Sequence, residues 1–444
     1  MSVSVPHDEG VRWQAAVNAY RIDLIRKGAI VLGVFLSGFV LREPAPYELY
    51  MAGLIAVWSV FGLRISRNVA PLLVLLVAFN VGGLISMSQL PELGDIPLYL
   101  AVSFFLAFTA IFFAAVIERQ PELLPLIFKA WIAAAVVTAI CGILGYFQAF
   151  PGAEMFTRYG RAAGVFEDPN VFGPFLTLPG IYLLHRMLTG GLRATLAALP
   201  PFLIIVLGVF LSFSRGAWGL FVSASVLLTL ALLVQNRHGL FRLRIMVMCI
   251  TAVVLIAVAL LVALQIPAVA DLFAQRAQLV QDYDGSRLGR FARHAIGFLL
   301  ATEHPLGIGP LEFGKLYGED THNIWLKALL AYSWLGFAAF FTLIAWTVAA
   351  GFRILFRARM WQPYLLCAYV VFLGHIALAN VIDIDHWRHF YLLLGLLWGM
   401  MALEQRHQAR LSSPATLRAR PIFSLRAADR NYRDFAGSER SAAR

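Results

Sequence analysis

Apolar runs of about 20 residues recur along nearly the whole chain, from the stretch at 28–41 to the one at 386–403. A helix rises about 1.5 Å per residue, so a run of that length spans a hydrocarbon core about 30 Å thick. Backbone inside lipid has to satisfy its own polar groups, which leaves helices or a closed barrel, and continuous apolar runs of this length select helices. Composition agrees: 60% of the residues are hydrophobic and 14% are charged, whereas a soluble domain has about a quarter charged. The expectation is an all-α polytopic integral membrane protein with about 12 transmembrane helices and one large loop containing helices.

The basic residues give that bundle a direction. Counting the N-terminus as cytoplasmic, the connectors on its side carry Arg26-Lys27, Arg64 and Arg67, Arg119, Arg186 and Arg193, Arg237, Arg242 and Arg244, then Arg353, Arg357 and Arg359. The alternate connector Pro91–Pro97 has two acids and no base. Both termini therefore face the cytoplasm by the positive-inside rule. The expected organisation is a cytoplasmic N-terminal segment 1–27, transmembrane helices 1–9 over 28–264, a large polar loop 265–321, helices 10–12 over 322–403, and a basic tail 404–444 with no apolar periodicity, read as disordered or surface-bound. The net charge of +11 raises the possibility of nucleic acid binding. Its concentration in short connectors and the tail argues for topology and anionic lipid instead. Cys141, Cys249 and Cys367 lie in apolar runs without metal-ligand spacing, as packing residues do.

Several cations break the pattern by falling on the other side. Arg158 and Arg161 lie in the loop 150–169, Arg215 in the short turn from Leu211 to Gly216, and Arg276, Arg287, Arg290, Arg293 and His294 in the long loop. Topology gives no reason for them there; an anionic ligand does. Gly160–Asn170 opens a span, with Asp168 or Asn170 able to cap the helix and Pro169 suited to its first turn. A helix start beside Arg161 favours an anion, although a capped helix with a snorkelling arginine would look the same. Arg215 joins two spans almost without a loop. A guanidinium at that depth costs about 2.5–3.5 kcal/mol or more unless paired or solvated, and intramembrane ionisable groups are functional by default. Arg287, Arg290 and His294 fall at i, i+3 and i+7 on one helix face, either an arginine fork for phosphate or a solvated basic face.

Thr321-His322-Asn323 starts the tenth span. A neutral imidazole there is placed to accept a hydroxyl proton near pH 7, with Asn323 as a cap or an orienting group, while the bland alternative is an interfacial histidine bonded to a carbonyl. Asp383, Asp385, His386 and His389 share the last outer turn. A metal site is one reading of them; ion pairing of the acids with Arg388 or Arg215 is the preferred one.

These residues carry a resemblance. Gly160–Asn170, Ser212–Trp218, Pro305-Leu306-Gly307-Ile308-Gly309 and Thr321-His322-Asn323 follow one another, with a large loop ahead of the histidine, as in the O-antigen ligase family of the O-antigen ligase/polymerase superfamily. The resemblance covers about 150–350. It implies a multi-span, inverting, metal-independent glycosyltransferase of the bacterial inner membrane, with no cofactor and a periplasmic active site. Such an enzyme moves a glycan from undecaprenyl pyrophosphate to a sugar hydroxyl of lipid A-core in lipopolysaccharide biosynthesis. It also implies that Arg161, Arg215, Arg287 and Arg290 bind the pyrophosphate and that His322 is the base. Asn323, Asp168, Asp383, Asp385 and His386 stand as supporting candidates. Where polymerases commonly show Asn-Pro-Asn this chain has Asp168-Pro169-Asn170, which leaves an O-antigen polymerase as an alternative. A transporter of an anionic lipid-linked solute is a second, and it would require symmetric repeats with broken helices.

Overall fold

The computed structural model describes residues 7–42, 45–265, 267, 270, 271, 273, 274 and 290–412. Among these, nine helices precede the polar loop: α1 His7–Leu36, α2 Pro46–Val60, α3 Ala70–Met87, α4 Ile96–Arg119, α5 Leu124–Tyr146, α6 Pro169–Thr189, α7 Leu192–Leu211, α8 Arg215–Gln235 and α9 Gly239–Ala263. The loop contributes α10 Arg290–Glu303 and the short α11 Glu312–Tyr317, and α12 Ile324–Ile354, α13 Gln362–Leu378 and α14 Arg388–Leu411 close the bundle. Among the described residues the only strands are β1 Thr157–Arg158 and β2 Arg161–Ala162, an antiparallel pair in the loop before α6. The fold is therefore that of an all-α polytopic membrane protein. By length and composition, six of the described helical segments can cross a membrane: α3, α4, α5 with the turn ahead of it, α7, α8 and α12.

Proline marks several helix starts, because its missing N–H is one the first turn leaves unbonded anyway. Pro46, Pro71, Pro97, Pro125, Pro169 and Pro363 each sit in the first turn of a helix. Pro200-Pro201, a dipeptide that ordinarily punctuates a helix, lies inside α7. A membrane bundle tolerates the lost backbone bonds when neighbouring groups satisfy them. At the other end of the chain order, α1 is already helical from His7, ahead of the first expected span.

The core runs through α4 and α14, which pack along their length, flanked by α3 against α12 and by α6 against α7, α8 and α13. Large apolar side chains such as Val74, Leu203, Val222 and Phe341 point outward instead, as lipid-facing positions do. Helix contact in a membrane depends on close backbone approach. Gly82 on α3 supplies it, since a Cβ there would collide with the Tyr332 carbonyl of α12.

That crossing sits beside a break. Ser333 interrupts α12 with φ 62° and ψ 174°, which frees backbone groups of the adjoining turns. The Pro305–Pro310 stretch takes them up. Ile308 N donates to Leu330 O at 2.9 Å, Trp334 N donates to Pro305 O at 3.1 Å, and Ser86 Oγ adds a bond to Leu330 O at 3.1 Å. Gly307 makes the approach possible with φ 85° and no room for a side chain, a Cβ there lying 2.6 Å from Leu330 O. The Pro-Leu-Gly-Ile-Gly sequence is thus a plug that seats the long loop in a broken helix. The small cluster of Ala301, Phe313, Leu326, Leu329 and Leu330 secures α10 and α11 on the same half of α12.

Candidate active site

The motif residues gather at one end of the bundle, where α6, α8, α12 and α14 begin. Tyr159 and Gly160, with φ 55° and 68°, form the two-residue turn of the β1–β2 hairpin, where positive φ at both central positions suits a tight hairpin. The hairpin delivers Arg161 into the protein, where it is 5% exposed. Its Nε donates to Ser212 O at 2.7 Å and its Nη2 to Asn170 Oδ1 at 2.9 Å. One guanidinium therefore ties the start of α6 to the turn ahead of α8. Asp168 caps α6 through Asn170 N at 2.8 Å, with Pro169 in the first turn. Arg158 stays outside and pairs with Glu167 at 3.0 Å.

The same turn positions Arg215. Ser214 caps α8, and Arg215 is its first helical residue, so a full cation stands at the positive end of the helix dipole. Gly216 packs on Leu378, 2.6 Å from a hypothetical Cβ. The next carbonyl of that chain, Ala379 O, accepts from Ile324 N at 3.0 Å. Through these contacts the α8 start is joined to the α12 start, and with it to His322.

His322 adopts φ 51°, an uncommon conformation for a residue with a side chain. It lies between Thr321, which is fully buried, and Asn323, whose Oδ1 caps α12 by accepting from Trp325 N and Leu326 N at 3.0 and 3.2 Å. Asn323 Nδ2 also donates to Asn380 O at 3.1 Å, which fixes the α12 start to the α13–α14 turn. Carboxylates flank the imidazole: Asp383 Oδ2 is 3.8 Å from Nδ1 and Glu319 Oε2 is 4.0 Å from Nε2. These are charge contacts, longer than a hydrogen bond. Glu319 is held in turn by Arg293 of α10 at 2.5 Å, with the Arg293 side chain only 6% exposed.

Behind the histidine lies a buried ionic cluster. Lys327 Nζ is 2.9 Å from Asp320, 3.6 Å from Asp385 and 3.8 Å from Asp383. Asp385 also accepts from Tyr99 OH at 2.7 Å and Tyr332 OH at 3.2 Å, and its Oδ2 is 3.0 Å from His386 Nδ1. Burial alone would raise the Asp385 carboxyl, but Lys327, His386 and Tyr99 together hold it well below the usual carboxylate range. Asp383 goes the other way. Burial pushes it up to about 7, with Asp320 and Asp385 adding repulsion against the pull of Lys327. One lysine among three acids keeps Asp385 ionised and leaves Asp383 to titrate near neutrality.

Among the described residues the lysine or arginine within ion-pair distance of Asp383 and Asp385 is Lys327, whereas the sequence suggested Arg388 or Arg215. Arg388 Nε donates to Glu48 of α2. Lys327 had a readable signal, a lone ionisable group four residues into an apolar span. Tyr99, Tyr332, Asp320 and Glu319 had none, since their place depends on contacts made across the fold. His386 lies against Tyr99 with ring centroids 3.9 Å apart and the planes tilted by 31°, and so belongs to this cluster. Of the basic run in the loop, Arg287 and Arg276 lie outside the described residues, and Arg290 is described only as the first residue of α10.

Residues 200–341 match the family described as O-Antigen ligase. The match runs from within α7 into α12, about a third of the chain, and takes in Arg215, the Pro305–Pro310 plug and His322. The hairpin with Arg161 and the turn with Asp383 and Asp385 fall outside it. This match supports the O-antigen ligase family for the chain. No curated protein matches it.

Proposed function

We propose, starting from the O-antigen ligase family match, that this chain is a glycosyltransferase that moves a glycan from undecaprenyl pyrophosphate to a sugar hydroxyl of lipid A-core. The observation that carries the reading is the joining of two motifs at one end of the bundle: the α8 start with Arg215, and His322 at the α12 start, linked through Leu378 and Ala379. The opposite end carries Arg64, Arg67, Arg119, Arg353, Arg357 and Arg359, so by the positive-inside rule the site faces the periplasm of the inner membrane.

His322 removes the proton from the acceptor hydroxyl. The acceptor oxygen bonds to the anomeric carbon as the bond from that carbon to the pyrophosphate oxygen breaks, and undecaprenyl pyrophosphate leaves with the bonding pair. One displacement gives inversion. Arg215 binds the departing pyrophosphate at the α8 start, where fixed donors and the helix dipole stabilise developing charge. Arg161 adds positive charge and holds the turn that presents Arg215, and the family resemblance assigns Arg287 and Arg290 to the same pyrophosphate. The proton gained by His322 makes an imidazolium between Asp383 and Glu319, whose carboxylates favour it. Asn323 and Asp168 fix the two helix starts, and Asp385 and His386 anchor the ionic cluster on which Asp383 rests.

The test uses purified protein with labelled lipid-linked donor and either lipid A-core or donor alone. Transfer to lipid A-core that disappears in His322→Ala supports the reading. Full transfer by His322→Ala at normal membrane levels refutes the base assignment. Lengthening of the donor glycan without lipid A-core identifies a polymerase instead, and movement of donor without bond cleavage identifies a transporter.

A further inference from the structure

At the opposite end of the bundle from His322, α1, α2 and the end of α4 enclose a cavity of about 580 Å³, within the size range of small-molecule sites. Its wall is mostly apolar, with Trp58, Phe61, Leu63 and Val116 among the lining side chains. Three arginines converge on it from three separate elements: Arg26 from α1, Arg64 from the α2–α3 connector and Arg119 from the last turn of α4. The positive-inside rule explains arginines at this end. It does not explain why three of them border one apolar hollow.

Several other arginines are tied to specific partners. Arg357 and Arg359 both pair with Glu404, at 2.8 and 2.9 Å, Arg406 donates to Glu118 O, and Arg244 donates to Met187 O and Gly190 O. Among the described residues no carboxylate lies within ion-pair distance of Arg26, Arg64 or Arg119. Arg26 instead lies over the Trp58 ring, 5.6 Å from its centroid, and Phe112 fixes that ring edge-on at 5.7 Å. Tryptophan of this kind belongs at headgroup depth in a bilayer. An apolar hollow at that depth, rimmed by guanidinium forks without carboxylate partners, matches a phosphate on an acyl chain.

We propose that this cavity is a binding site for an anionic glycerophospholipid, with its phosphate on Arg26, Arg64 and Arg119 and one acyl chain along Trp58, Phe61 and Leu63. The site is independent of the catalytic reading. The lipid supplies negative charge to the three guanidinium groups, and it fills a gap between α2 and the bundle.

The full chain is placed in nanodiscs of mixed phosphatidylglycerol and phosphatidylcholine, and lipid retained after delipidation is counted by native mass spectrometry. Wild type should keep one phosphatidylglycerol in preference to phosphatidylcholine. Arg64→Gln with Arg119→Gln, both exposed positions, should weaken retention by about tenfold or more, and Arg26→Gln should lower it as well. Arg353→Gln, an exposed arginine at the same end but outside the cavity, should leave it unchanged. Millimolar glycerol phosphate should fail to displace the lipid, because the acyl chain carries part of the contact. Equal retention of phosphatidylcholine, unchanged retention in both cavity variants, an equal loss in Arg353→Gln, or displacement by glycerol phosphate would each overturn the proposal.

Discussion

Replacing Lys327 by Met keeps an unbranched apolar stem and removes the cation that faces Asp320, Asp383 and Asp385. Its ammonium lies 2.9 to 3.8 Å from the three carboxylates, and the lysine side chain is 10% exposed. At an effective dielectric of about 20, each of these pairs is worth about 4–6 kcal/mol of gross attraction. Desolvation of the buried ions cancels much of it, so removing the one partner should destabilise the fold by about 3–5 kcal/mol at pH 8. The deficit should depend on pH. Lys327 is the main pull that lowers Asp383 and Asp385 against burial, so without it both carboxyls move up and the folded variant binds more protons than folded wild type. Its stability is then present at low pH and lost as pH rises through the folded pKa values. Wild type takes up its proton on Asp383 near pH 7, while the variant takes up more, so the deficit should shrink to less than half at pH 5. Unfolding by SDS titration in mixed micelles, followed by tryptophan fluorescence at both pH values, measures it. A deficit below about 1 kcal/mol, or one equal at pH 5 and pH 8, would refute the idea that Lys327 holds the cluster together.

Three further outcomes follow from the geometry. The raised Asp383 carboxyl is ionised only above pH about 7, so transfer activity should climb through that pH, and Asp383→Asn should lower the plateau by about tenfold or more and erase that step. Arg215→Lys should keep normal membrane levels yet lose at least about tenfold in kcat/KM, since a point charge does not replace a guanidinium fork; undiminished turnover would make Arg215 structural. Gly307→Ala adds a carbon at φ 85° against Ser86 Oγ and Leu330 O, whereas Gly318→Ala, at φ 82°, meets open space. The first should cost about 1–3 kcal/mol more than the second in the same unfolding titration.

What could be read in the sequence was local. Asp168 and Asn323 cap their helices as their chemistry suggests, because capping needs only a side chain and the next two or three N–H groups. The short span-to-span turn at Arg215 and the placement of Arg161 in the loop before α6 stand out in the sequence as cations where the positive-inside rule does not expect them. The hidden part was non-local. Nothing in Tyr332-Ser333-Trp334 signals a helix break, because the groups that stabilise it come from Pro305–Ile308 and Ser86. Pro200-Pro201 is the opposite case: a proline pair reads as a helix boundary, yet both lie inside α7, since a bundle can satisfy a proline's freed carbonyls. The lysine partner of Asp383 and Asp385 could not be read from nearby charges: the adjacent Arg388 reaches α2, and Lys327 comes from α12.

The most direct measurement is density for a lipid pyrophosphate in a structure of the donor-bound protein. The expected result is phosphates at the α6 and α8 starts, within hydrogen-bond reach of Arg215 and close to Arg161, with the anomeric carbon turned toward His322. Phosphates bound away from these helix starts, with His322 remote from the sugar, would contradict the assignment of this end of the bundle as the catalytic one.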